Sequence, residues 1–157
     1  IVGDDRSHPP EPPSDTIAAE GIERQVRWHR YATDEQLGEL YASARAFAFL
    51  SEYEGLGLTP LEALSAGVPS VLLDTPVARE ACGSHALYVA AGDLPGITEA
   101  LERLLFDDSV RDQLLRSAVH TLARFGPGRP GRETLAVIEE TARPIQRMSP
   151  AQTPGSH

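Results

Sequence analysis

The sequence contains no lysine, and all 14 of its basic residues are arginines. A Schiff-base nucleophile and a lysine clasp on a phosphate are therefore excluded from these residues. Cys82 is the single cysteine, which rules out an intrachain disulfide and a cysteine-rich zinc site and agrees with a reducing compartment. The five histidines are scattered without metal-ligand spacing, so no metal is assigned. Positive charge is scarce as well. A formal net charge of -9 argues against a nucleic-acid partner, which needs clustered cations. No apolar run approaches the roughly 20 residues of a transmembrane segment, and the first residues lack the charged-then-apolar pattern of a signal peptide.

What is present suits one globular domain. The chain has 157 residues, 41% of them hydrophobic, enough for one core and too few for two. "IVG" at 1–3 reads as the end of a buried strand, followed by a proline-rich loop. A short helix is expected from a Ser14 cap to Glu20, closed by Gly21, then a strand at "QVRW", 25–28. "TDEQLGELYASA" opens with a Thr33–Gln36 capping box and carries Leu37, Leu40, Tyr41 and Ala44 on one helical face. "AFAFL" at 46–50, "PSVLLD" at 69–74 and "ALYVA" at 86–90 are short apolar runs without alternation, as in strands buried on both faces. Helices are expected at about Leu94–Phe106, Ser109–Phe125 and Arg132–Ile145, the second capped by Asp107, Asp108 or Ser109. The domain is expected to span 1–145, with a polar, proline-rich disordered tail at 146–157. Strands alternating with helices predict an α/β fold, a doubly wound Rossmann-like parallel sheet with flanking helices.

In such sheets ligands bind beyond the carboxyl ends of the strands. "SEYEGLGLTPLEALSAG", from residue 51, is one such strand-to-helix loop. Gly55 and Gly57 permit close backbone approach or positive φ, and the N–H groups of a helix beginning near Thr59, with Pro60 in its first turn, favour an anion. Glu54 and Glu62 would repel a phosphate. They fit neutral groups that donate hydrogen bonds, above all the adjacent hydroxyls of a sugar, at roughly 1.5–3 kcal/mol per charge-assisted bond. The pattern suggests a sugar diphosphate carrier with hydroxyls at both ends. A plainer reading stands beside it, in which Thr59, Pro60 and Glu62 form a capping box and Glu54 is a solvated loop residue. "GLGLTP" lacks the third glycine of a dinucleotide fingerprint, which disfavours a dehydrogenase.

Glu54 and Glu62 form an E-x7-E pair in "EGLGLTPLEALSAGVPSVLLD", which resembles the donor-site signature of retaining glycosyltransferases of family 4, with the GT-B fold. "VRWHRYATDEQLGELYASARAFAFLS" is similar to the segment before that signature, and "DTPVAREACGSHALYVAAGDLPGITEALERLLFDDSVRDQLL" to the segment after it. The resemblance implies the carboxy-terminal half of a GT-B enzyme, without its first strand, that transfers a sugar from a nucleoside-diphosphate sugar to an acceptor with retention of configuration. Glu62 would hold ribose hydroxyls. Glu54, the catalytic candidate, would hold the transferred sugar, and the N–H groups of Gly55, Leu56, Gly57 and Leu58 would meet the sugar and diphosphate. No cofactor is implied. The nucleotide sugar is a substrate, and the acceptor would bind an amino-terminal domain that these residues do not include.

The chain departs from the family pattern at Arg30, where glycine is usual, and lacks the Arg and Lys that bind the diphosphate on a preceding strand and helix. It begins at Ile1 and is expected to be a fragment, inactive by itself, of a cytoplasmic enzyme whose peripheral attachment to a membrane is left open. Two other readings remain: a non-catalytic sugar-nucleotide-binding or scaffolding domain of the same fold, and a sugar phosphorylase. Glu80, in "DTPVAREACG", matches a family loop position, but a lone glutamate before a small-residue turn is more often a helix or turn contact, and it is left out of the site.

Overall fold

In the computed structural model, which describes residues 1–4, 12–116 and 118–126, three short strands carry the fold. They are β1 (Phe47–Phe49), β2 (Ser70–Leu73) and β3 (Ala86–Val89), all parallel in the order β1-β2-β3. Phe47 is in register with Ser70 and Ser70 with Ala86. The helices are α1 (Pro13–Ala19), α2 (Asp34–Ser43), α3 (Leu58–Ser65), α4 (Pro76–Cys82), α5 (Leu94–Phe106), α6 (Asp108–Leu115) and α7 (Ala118–Ala123).

Every residue of β2 is buried, as a central parallel strand requires. The pleat sends its side chains to two cores. Val71 and Leu73 join Val89, Ala100, Leu104 and Leu114 under α5 and α6, while Leu72 joins Leu61, Ala81, Cys82 and Ala86 under α3 and α4. The sheet thus has helices on both faces. Its carboxyl edge faces the turns that lead into α3, α4 and α5.

Local chemistry sets the helix starts. Thr33 Oγ1 accepts from Gln36 N–H while Gln36 Oε1 accepts from Thr33 N–H, so the expected capping box forms at α2. Asp107 is the cap of α6, its Oδ1 accepting from the N–H groups of Ser109 and Val110. Ser109 Oγ adds a third bond to that oxygen, and these contacts hold the Asp107 carboxyl below its usual range.

Three expectations are corrected, and one helix is added. α1 starts at Pro13, and Pro12 rather than Ser14 occupies its cap position, because proline at N1 is already set for helical φ. Neither "IVG" nor "QVRW" forms a strand. Gln25 and Val26 N–H groups turn back onto the Ile22 carbonyl, and the two segments meet only at a parallel bridge between Val2 and His29. α4 falls in a stretch for which no element was expected, started by Thr75, whose Oγ1 accepts from Ala78 N–H, with Pro76 at N1. The helix expected over Ser109–Phe125 is broken, with extended backbone at Arg116. Leu114 belongs to one core and Leu122 packs on the other, so a straight helix could not serve both faces. The expected helix at 132–145 and the tail at 146–157 lie outside the described residues.

Candidate functional site in the loop between β1 and α3

The chain leaves β1 at Phe49 and turns at Ser51, whose hydroxyl donates to the Tyr53 carbonyl. It enters α3 through Gly57, which occupies the left-handed region at φ 63, ψ 36 and serves as the N-cap residue. Gly57 is buried against α4, where an added Cβ would lie 3.4 Å from both Ala81 Cβ and Val77 Cγ1. Glycine is favoured there by its dihedral, since contacts at 3.4 Å are ordinary ones. Gly55 has open space around it and no positive φ, so its requirement must be a ligand's or none.

Since α3 begins at Leu58 rather than near Thr59, Thr59 is already inside the first turn and no side chain caps the helix. The capping-box explanation of Glu62 is thereby overturned. An αL glycine immediately before the helix leaves no extended N-cap residue from which a threonine hydroxyl could reach the N3 amide. Glu62 is instead an exposed carboxylate whose Oε2 accepts from the Tyr41 hydroxyl of α2 at 3.5 Å. Burial of Tyr41, followed by the charge and hydrogen bond of Glu62, raises the phenol's pKa above its usual value. Oε1 of Glu62 has no hydrogen-bond partner among the described residues.

Glu54 is half-buried and lines a small cavity with Ser51, Gly57, Pro60, Thr75 and Val77, making no hydrogen bond to another described residue. Glu62 lines a larger cavity of about 540 Å³ with Tyr41, Phe47, Phe49 and Thr59. The two carboxylates therefore do not share a cavity, although Phe49 borders both. Leu56 and Leu58 are exposed, and Tyr53 stands at the tip with 90% of its surface open. Glu80 borders a cleft with Gly55, Leu56 and Phe125.

Two features here were not found in the sequence. Arg79 of α4 donates Nε and Nη2 to the two carboxylate oxygens of Asp74, at 2.7 and 2.9 Å, and lays its guanidinium 3.8 Å from the Tyr88 ring centre. The hydrogen bond from Arg79 holds the Asp74 carboxyl below its usual range. Thr75-Pro76 is an N-cap and N1 signature, and would have placed α4 and hence the five-residue offset of this pair. Tyr41 beside Glu62 had no comparable local signal. Elsewhere among the described residues, Trp28 is half-buried with Nε1 donating to the Gly3 carbonyl, and Tyr31 is 80% exposed. Among the described residues no cluster of three or more His, Cys, Asp or Glu could hold a metal ion, and no helix is long and apolar enough to cross a membrane.

A parallel sheet with helices on both faces and a glycine-hinged loop beyond its carboxyl edge is the frame of the GT-B glycosyltransferases, which are its structural neighbours. Sucrose-phosphate synthase from Thermosynechococcus elongatus superposes with a TM-score of 0.73 over 89% of this chain and 37% of its own, at 18% identity, a likeness of fold alone. The family model described as Glycosyl transferases group 1 matches residues 1–120, and the chain belongs to that family. Among curated relatives, the Escherichia coli O-antigen chain mannosyltransferase B is 40% identical over 87 residues, 55% of this chain and 23% of that protein. The Escherichia coli serotype-specific mannosyltransferase WbdA is 36% identical over 84 residues, 54% of this chain and 10% of that protein. The chain thus aligns with a quarter or less of these relatives' lengths.

Proposed function

We propose that these residues are the donor-binding half of a glycosyltransferase that moves a sugar from a nucleoside-diphosphate sugar to an acceptor with retention of configuration. The observation that carries the reading is Glu62. It is an exposed carboxylate with no capping role, projecting from the first turns of α3 with one oxygen available to a ligand. Such a group suits a pair of ribose hydroxyls, each donating one hydrogen bond. Family membership and the mannosyltransferase relatives support a hexosyl donor, and mannose is the first sugar to test.

Glu54 meets the transferred sugar in this reading. The N–H groups of Gly55 through Leu58, with the start of α3 behind them, face the diphosphate and stabilise charge on the leaving group. The cationic partners of that diphosphate and the acceptor site belong to other parts of the complete enzyme. The separate cavities of Glu54 and Glu62 fit a ligand that is long and bound at both ends, with Phe49 between. A nucleotide sugar has that shape.

Steady-state kinetics of Glu54→Gln in the complete enzyme test the assignment. Loss of a charge-assisted bond to the sugar lowers kcat/KM by about tenfold to a hundredfold while the free nucleotide's inhibition constant holds. Unchanged kcat/KM with every hexosyl donor tried would remove Glu54 from the site.

A further inference from the structure

Glu62 is a long, rotatable side chain exposed on α3, and such a carboxylate samples many orientations unless another group holds it. Tyr41 restrains it. The phenol comes from α2, whose start is fixed by the Thr33–Gln36 capping box, and its hydroxyl donates to Glu62 Oε2 at 3.5 Å. The half-buried ring is itself held. It stands edge-on to Phe47, with ring centres 5.8 Å apart and planes at 70°, and Phe47 stacks in turn on Phe49, two positions along the same face of β1. Phe47 N–H bonds to the Pro69 carbonyl, just ahead of the fully buried β2. A line of packed groups therefore runs from the centre of the sheet to one oxygen of Glu62.

At 3.5 Å this bond is long, and it adds little to the stability of the fold. Its effect is directional. An ionised carboxylate offers about four acceptor positions, of which Tyr41 fills one on Oε2 and leaves enough for two adjacent hydroxyls, one on each oxygen. Burial of the phenol, with the charge and hydrogen bond of Glu62, raises its pKa, so the hydroxyl remains a donor well into alkaline pH. Tyr41 and Glu62 together border two spaces, the cavity of about 540 Å³ and a second of about 370 Å³ lined by α2 and α3. A sugar in either one meets a carboxylate that the phenol already orients.

We propose that Tyr41 is a positioning residue for the donor, its hydroxyl fixing the Glu62 carboxylate in the orientation that receives two adjacent ribose hydroxyls. This role rests on the donor reading of Glu62 given above. A carboxylate held in place beforehand loses less rotational freedom when the nucleotide binds, which for one long side chain is worth about threefold to tenfold in affinity.

Isothermal titration of the complete enzyme with GDP, UDP and ADP, continued with whichever binds most tightly, tests this on Tyr41→Phe, Glu62→Ala and the double variant. Tyr41→Phe keeps the ring against Phe47 and should melt within about 2 °C of the parent. It should bind the nucleotide about threefold to tenfold more weakly when Glu62 is present, and change affinity by less than about twofold when Glu62 is alanine. The 2′,3′-dideoxy form of the same nucleotide lacks both hydroxyls and should bind the parent and Tyr41→Phe alike. Weakening that persists in the Glu62→Ala background, or with the dideoxy nucleotide, would overturn the proposal, because Tyr41 would then act without Glu62 or the ribose. So would a Tyr41→Phe variant that melts far below the parent, which would make the hydroxyl a support of the fold. If Glu62→Ala binds weakly and Tyr41→Phe binds like the parent, the positioning role fails while the donor reading stands. Parental affinity in Glu62→Ala, or no affinity of the parent for any of the three nucleotides, would overturn the donor reading and the positioning role together.

Discussion

Gly57→Ala and Gly55→Ala form a matched pair. Both remove a glycine from the same loop, and both lower the entropy of the unfolded chain by a similar amount, worth about 0.4–1 kcal/mol. That contribution cancels when the two variants are compared. What remains at Gly57 is the left-handed φ of 63, which an L side chain enters at about 1–2 kcal/mol. The new methyl group would meet Ala81 and Val77 at 3.4 Å, within ordinary contact, so sterics add little. At Gly55 neither cost applies. Gly57→Ala should therefore be less stable than Gly55→Ala by about 1–2 kcal/mol, or about 3–8 °C in melting temperature for a chain of this size. Thermal melts followed by circular dichroism at 222 nm suffice. Equal melting temperatures would show that Gly57 does not hold the positive φ on which the loop's course depends. The donor-binding effects should run the other way in the complete enzyme. Gly55→Ala, neutral for the fold, should weaken nucleotide-sugar binding if its backbone lies against the ligand.

The capping box of α2 gives a second expectation: Thr33→Ala, which deletes the acceptor for Gln36 N–H, should cost about 1 kcal/mol in urea unfolding, and Thr33→Ser much less. High pH gives a third. Burial raises the Cys82 thiol from 9.0 to about 11 and the Tyr88 phenol from 10.0 to about 12. The unfolded chain therefore releases these protons first, and stability contributed by the neutral groups is whole below pH 9 and drains away between pH 9 and 12. Melting temperature should fall across that window, and Cys82→Ala with Tyr88→Phe should flatten the decline. A slope unaffected by the double variant would place the alkaline sensitivity elsewhere.

The central strand was readable because it is buried on both faces, leaving the run Val71–Leu73 with no polar interruption. α5 was readable to the residue, Leu94–Phe106, because its periodicity coincides with an Asp93 cap and the extended backbone at Asp107. The break at Arg116 was not, since apolar spacing continues through it and only the sheet's two-sided core requires the turn. The same holds for residues 25–28, whose alternation resembles a strand although bonds to the Ile22 carbonyl curl the backbone.

At the candidate site the glycines and carboxylates announced a loop with chemistry. Its local geometry did not follow from the letters. Thr59-Pro60-Leu61-Glu62 satisfies a capping-box pattern, and only the αL conformation of Gly57 reveals that the helix has already begun at Leu58. Tyr41 lies 21 positions from Glu62, so their contact depends on α2 and α3 packing near one another.

Isothermal titration of the complete enzyme with its nucleoside diphosphate, comparing Glu62 with Glu62→Gln, tests the account where it is most exposed. Glu62 caps nothing, and its one side-chain partner is the long bond from Tyr41, so Glu62→Gln should melt within about 0.5 kcal/mol of the parent. The amide keeps one acceptor oxygen, which replaces one charged bond to the ribose with a neutral one and removes the other. Affinity should fall by roughly 1.5–3 kcal/mol, on the order of tenfold to a hundredfold. Parental affinity in a variant of parental stability would contradict the central claim that the Glu62 carboxylate binds the donor.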